Sequence, residues 1–168
     1  MKIISFILIL VTFSLNIMSQ TKKIVYEKKG KLETYKITTY DGTTFISNVN
    51  TPNIIIDEEV ITKYKVWPKR TLINDKEYVN KYLKSKIKEK INSENSRLAI
   101  NYFYDLSSGE LKWITIFHEN SITIPIEAIE KFEKVMRKED KAIYNRETSG
   151  IKDIPYFRRY VVYDLSNL

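Results

Sequence analysis

Two alternating segments joined by a short turn constrain the fold of this chain of 168 residues more than any other feature. Along residues 98–106 every second side chain is apolar or aromatic, and residues 111–118 alternate in the same way. Ser107-Ser108-Gly109 lies between them as a turn. Because a period of two places alternate side chains on one face of a strand, the pattern predicts an antiparallel hairpin with one buried face.

A second hairpin is predicted nearer the N-terminus. Residues 34–40 and 43–49 are rich in β-branched and aromatic residues, and Asp41-Gly42 separates them. An Asp-Gly pair favours a two-residue hairpin turn because glycine adopts positive φ without steric strain. Two further strands are expected, a short one at residues 24–27 and a closing one at residues 156–165.

Two other segments have the periodicity of amphipathic helices. In residues 75–92 an apolar residue recurs at every fourth position, and lysines occupy much of the remaining surface. Asn74 and Glu77 form a pair that resembles a capping box at the start of this helix. The second helix is expected at about residues 125–138, with Pro125 at the first helical position, where its missing N–H would have no partner.

This order of strands and helices predicts an α+β fold. We expect an antiparallel sheet of two hairpins plus a C-terminal strand, packed by the two helices at about 75–92 and 125–138. The polar residues 139–153, between the second helix and the last strand, are expected to form a loop.

The N-terminal residues have the pattern of a secretory signal peptide. Met1-Lys2 is a short positive start, Ile3 to Leu15 is almost wholly apolar, and Ser19 is a small residue at a suitable cleavage edge. Since a membrane-spanning helix needs about 20 apolar residues, we expect cleavage near Ser19 rather than a retained anchor, which is the alternative. Residues 1–19 are thus interpreted as a signal peptide and residues 20–168 as a single α+β domain, periplasmic or secreted, without an integral membrane span after cleavage.

The amino-acid composition limits which kinds of functional site the chain can form. The chain contains no Cys, one His and four Gly, which excludes a disulfide framework, thiolate metal sites and a Gly-rich phosphate loop. No cofactor is therefore expected. The net charge of +7 is compatible with binding to nucleic acid, but we do not expect an exported protein to bind nucleic acid. The preference for Lys and Ile over Arg is typical of a bacterial source.

A family resemblance covers residues 75–165. The segments that carry this resemblance are Tyr102-Phe103-Tyr104-Asp105, Ser107 to Leu111, Ile124 to Ile129 and Arg159 to Tyr163. In their layout these residues resemble the C-terminal domain of the TonB-type periplasmic energy transducers. The long anchor and Pro-rich spacer of that family have no counterpart in this sequence. The resemblance therefore implies a periplasmic domain that recognises an extended segment of another protein through a sheet edge, rather than energy transduction.

Residues that could carry chemistry are few. His118 is followed by Glu119, a pairing that suits a base and its orienting group, although a surface histidine at a strand end is the favoured interpretation. Asp57-Glu58-Glu59 could bind a hard cation such as calcium, but a solvated turn is favoured. No catalytic, cofactor-binding or metal-binding residue is assigned.

The leading hypothesis is an exported, non-enzymatic envelope protein that binds a protein or peptide. One alternative is an envelope hydrolase that uses carboxylates or His118. The other is a binder of anionic polymer or lipid through Lys81, Lys84 and Lys88 on the first helix. The many tyrosines either line a groove or belong to the core, and the core is favoured.

Overall fold

The computed structural model of the chain describes residues 23–52, 65–66, 68–92, 96–145, 148 and 155–168. The expected signal peptide and the acidic cluster Asp57-Glu58-Glu59 lie outside the described residues. The elements are β1 (Ile24–Lys29), β2 (Thr34–Tyr40), β3 (Thr43–Asn48), β4 (Pro68–Thr71), α1 (Asp75–Tyr82), β5 (Arg97–Asp105), β6 (Leu111–Glu119), α2 (Ile126–Glu139), β7 (Ala142–Tyr144) and β8 (Tyr156–Asp164).

The main sheet has six antiparallel strands in the order β1-β2-β3-β6-β5-β8. Both predicted hairpins, β2–β3 and β5–β6, are present in it. Asp41 and Gly42 have φ values of 46° and 73°, the combination that a two-residue hairpin turn requires. The α+β class is therefore correct, with helices packed on an antiparallel sheet.

The sheet is larger than two hairpins plus a C-terminal strand. Strand β1 extends to Lys29 and pairs with β2 along its whole length, from Ile24 opposite Thr39 to Lys29 opposite Thr34. A separate pair, β4 with β7, lies beside the main sheet. The expected loop at 139–153 therefore contains a strand. Three residues are too few to show alternation, so the sequence carried no signal for β7.

The first helix was predicted too long. Helix α1 ends at Tyr82, a short 3₁₀ turn covers Lys84–Lys86, and Ile87 already has an extended backbone. The side chain of Asn74 makes no capping hydrogen bond. The apolar residues of the later turns, Ile87 and Ile91, still pack against the core, which explains why the periodicity ran past the end of the helix. Helix α2 was predicted to within one residue at each end.

The core lies between the two helices and one face of the sheet. Tyr102, Tyr104 and Tyr163 are at most 2% exposed there, so the assignment of these tyrosines to the core was correct. Tyr160 was assigned to the core with them, but it is 58% exposed, so that assignment was wrong. Each burial is accompanied by a hydrogen bond. Tyr163 donates to Asp75 at 2.5 Å, Tyr104 donates to Asp140 at 2.6 Å, and the Tyr102 hydroxyl lies 2.8 Å from that of Tyr163. A tyrosine hydroxyl can be buried without a free-energy penalty only when it makes such a hydrogen bond. Within the described residues, no helix is long and apolar enough to cross a membrane.

Candidate functional site

A pocket of about 480 Å³ opens beside helix α2. Its walls are the turn before β2, the start of β6 and one face of α2. The residues that line it are Leu32, Glu33, Tyr35, Glu110, Leu111, Lys112, Glu130, Glu133, Lys134, Arg137 and Lys138. Eight of these eleven side chains are charged, four of each sign, so the pocket is lined by charges of both signs.

Glu130 fixes the turn that forms one wall. Its two carboxylate oxygens accept the backbone N–H groups of Lys31 at 2.6 Å and Leu32 at 2.8 Å. The turn approaches so closely that a Cβ on Gly30 would lie 2.1 Å from Glu130 Oε2. A side chain at this position would therefore displace the carboxylate that holds the turn.

Glu133 forms the buried floor of the pocket. The residue is 3% exposed, and Tyr35 donates its hydroxyl to Oε2 at 2.8 Å. The other oxygen, Oε1, is buried and has no hydrogen-bond partner among the described residues. Burial raises the pKa of Glu133 to about 7, against the lowering effects of the Tyr35 hydrogen bond and of Arg137. The carboxyl therefore exchanges its proton near neutral pH.

Basic side chains surround this floor on the solvent side. Lys134, Arg137 and Lys138 are exposed on α2 and line the pocket one to five residues beyond Glu133. On the opposite wall, Lys112 is 2.6 Å from Glu110, so this pair is mutually satisfied. The pocket thus combines a buried acidic floor with a basic rim.

The sequence analysis did not single out this pocket. No role was assigned to Glu130 or Glu133 within the second helix, or to Tyr35 within the strand at residues 34–40. One signal was available, because both glutamates flank Phe132, a member of the apolar stripe. Polar residues next to such a stripe lie at the boundary of the buried face.

His118 is buried, with 6% exposure, and the expectation of a surface histidine was wrong. Its Nδ1 lies 2.8 Å from the backbone oxygen of Glu119, so the ring donates to a carbonyl and not to the neighbouring carboxylate. Burial lowers the pKa of His118. The alternation of β6 places it on the helix side of the sheet with Ile114 and Ile116, which the sequence pattern could have indicated.

The three lysines proposed to bind anions do not share one helical face. Lys81 is on α1, Lys84 is in the 3₁₀ turn and Lys88 lies beyond it. The ammonium of Lys84 donates to the backbone oxygen of Leu168 at 2.6 Å. Lys88 lines a different groove, of about 640 Å³, against the start of α2.

The face of the sheet opposite the helices carries exposed apolar residues. The strand registers align one row across all six strands: Val25, Thr38, Phe45, Phe117, Ala99 and Val162. Phe45 and Phe117 make an edge contact, with ring centroids 4.6 Å apart. On β8, Tyr160 and Val162 are 58% and 54% exposed. Exposed apolar residues that lie together mark interaction surfaces more often than those scattered singly.

No family model matches the chain, and no curated protein matches it. Among solved structures, the crystal structure of a DUF5043 family protein from Bacteroides uniformis ATCC 8492 is similar, with 12% identity and a TM-score of 0.49. The match covers 83% of this chain and 90% of that one.

Proposed function

We propose that the protein is an exported, non-enzymatic envelope protein that binds an extended segment of a partner protein at the outer edge of β8. The observation that carries this proposal is the pair of exposed side chains Tyr160 and Val162 on an edge strand. Strand β8 has nine residues, and no described strand pairs with its outer side. An added strand gains main-chain hydrogen bonds there and covers both side chains.

The choice of β8 over the other edge rests on charge. Strand β1 is also at an edge, but half of its six residues are charged (Glu27, Lys28 and Lys29), against one third of the nine residues of β8 (Arg158, Arg159 and Asp164). Charged side chains on an edge strand discourage pairing with another chain. Cleavage near Ser19 removes only one charged residue, Lys2, from a chain with a formal net charge of +7. The exported chain therefore stays basic, which favours a partner segment in which apolar residues alternate with acidic ones.

Hydrolysis through carboxylates is the alternative, and the Glu133 pocket is the place for it. A mechanism with two carboxylates needs a second group that faces the substrate. Both oxygens of Glu130 already accept backbone N–H groups. This occupation favours binding over hydrolysis.

Site-specific photo-crosslinking tests the binding proposal. A photoreactive phenylalanine analogue replaces Tyr160 in the full chain, and in a second protein it replaces Leu72, which is 54% exposed but lies outside the main sheet. We expect an envelope protein to be crosslinked at position 160 and not at position 72. Val162→Lys should abolish that product, whereas Leu72→Lys should leave it unchanged. Equal crosslinking at the two positions, or none, would refute the proposal.

A further inference from the structure

The floor of the α2 pocket presents a hydrogen-bond acceptor that the described chain does not satisfy. Glu133 is buried, one of its oxygens is bonded to Tyr35, and Oε1 has no partner among the described residues. An unpaired buried carboxylate is unfavourable. Oε1 is covered by the surrounding atoms, so a donor in the pocket reaches it only when the side chains that line the pocket move aside. Such a donor would supply the missing hydrogen bond, and a cationic donor would also compensate the charge.

The rim of the pocket, in contrast to its floor, favours an anionic group. Lys134, Arg137 and Lys138 lie within about one helical turn of each other, and their charges repel at this spacing. An anionic group placed between them would relieve that repulsion. The volume of about 480 Å³ lies in the range of small-molecule sites, roughly 300–1,000 Å³.

We propose that this pocket binds a small zwitterion, an amino acid or a short peptide, with its ammonium group against Glu133 Oε1 and its carboxylate among Lys134, Arg137 and Lys138. The site is separate from the edge of β8, so it stands or falls independently of the partner binding proposed above. A ligand of only one sign would satisfy one half of the pocket and be repelled by the other.

Binding should depend on pH because the ammonium requires Glu133 to be ionised. The charged and titratable groups that line the pocket with Glu133 are Tyr35 from β2, Glu33 from the preceding turn, Glu110 from the turn before β6, Lys112 from β6, and Glu130, Lys134, Arg137 and Lys138 from α2. Affinity should therefore rise between pH 5.5 and pH 8, by up to about tenfold per pH unit below the pKa of Glu133.

Isothermal titration calorimetry with three probes of increasing length tests the proposal: 4-aminobutyrate, 6-aminohexanoate and the dipeptide Ala-Ala. The ω-amino acids keep their ammonium charged up to about pH 10. We expect at least one probe to saturate the full chain at pH 8. Acetylation of its amine should weaken binding at least tenfold, and amidation of its carboxylate should weaken it several-fold.

Matched variants separate the two halves of the site. Glu133→Gln should weaken binding about tenfold and remove its pH dependence, whereas Glu127→Gln, on the same helix but outside the pocket, should bind as the wild type does. The double variant Lys134→Glu, Lys138→Glu should reduce the affinity for the zwitterionic probe more than the affinity for the amidated form of that probe. If no probe binds the wild type at 10 mM and pH 8, or if Glu133→Gln binds equally well, the proposal is wrong.

Discussion

Replacing Glu133 by glutamine should change how the stability of the protein depends on pH. Glutamine has nearly the same shape and can still accept the Tyr35 hydroxyl, but it does not titrate. The pKa of Glu133 is raised from 4.5 to about 7 in the folded protein. Each pKa unit corresponds to about 1.36 kcal/mol, so the full effect is about 3 kcal/mol.

The sign follows from proton linkage. The folded state holds the proton of Glu133 more tightly than the unfolded state does, so this carboxyl favours the folded state most below pH 4.5 and loses that contribution as the pH rises through about 7. Between pH 5 and pH 8 the wild type should lose roughly 2.5 kcal/mol of unfolding free energy relative to Glu133→Gln.

Urea denaturation followed by circular dichroism at pH 5, 6, 7 and 8 measures this difference. Taking the wild type minus the variant cancels the other titrating groups, His118 among them. Glu127→Gln is the matched control, since Glu127 is exposed on the same helix. Its curve should stay parallel to that of the wild type. If the curve of Glu133→Gln also stays parallel within about 0.5 kcal/mol, the carboxyl does not titrate near neutral pH and the reasoning fails.

Three other measurements examine separate parts of the structure. Gly30→Ala should destabilise the protein by about 1–3 kcal/mol, because the new Cβ displaces the Glu130 carboxylate from the two N–H groups that it accepts. In a Glu130→Ala background most of this loss should disappear. If the two losses are instead fully additive, residue 30 does not act through Glu130. Tyr163→Phe should also destabilise by about 1–3 kcal/mol because it leaves the buried carboxylate of Asp75 without its hydroxyl donor, and a neutral effect in urea denaturation would show that this bond contributes nothing. NMR titration should place the pKa of His118 below 6.5, with stability lost as the pH falls below that value; a value above 6.5 would contradict its burial.

The parts of the fold that the sequence predicted are those set by local preferences. The β2–β3 hairpin follows from the ability of Asp41-Gly42 to adopt positive φ, and β5 with β6 follows from strict alternation. Helix α2 combines an apolar stripe with charges that complement its dipole, so its bounds could be placed within one residue. Each of these signals lies within one short, continuous segment of the chain.

The extent of the sheet, the end of α1 and the candidate pocket depend on contacts between distant residues. Tyr35 meets Glu133 across 98 positions of the sequence, and no local pattern announces that meeting. A glutamate on a helix is ordinarily solvated, and burial in the folded protein is the main cause of the raised pKa of Glu133. Residue type and periodicity therefore determined which segments become strands and helices, whereas the packing of those segments decided which carboxyl was desolvated, because desolvation depends on everything that surrounds a group in space.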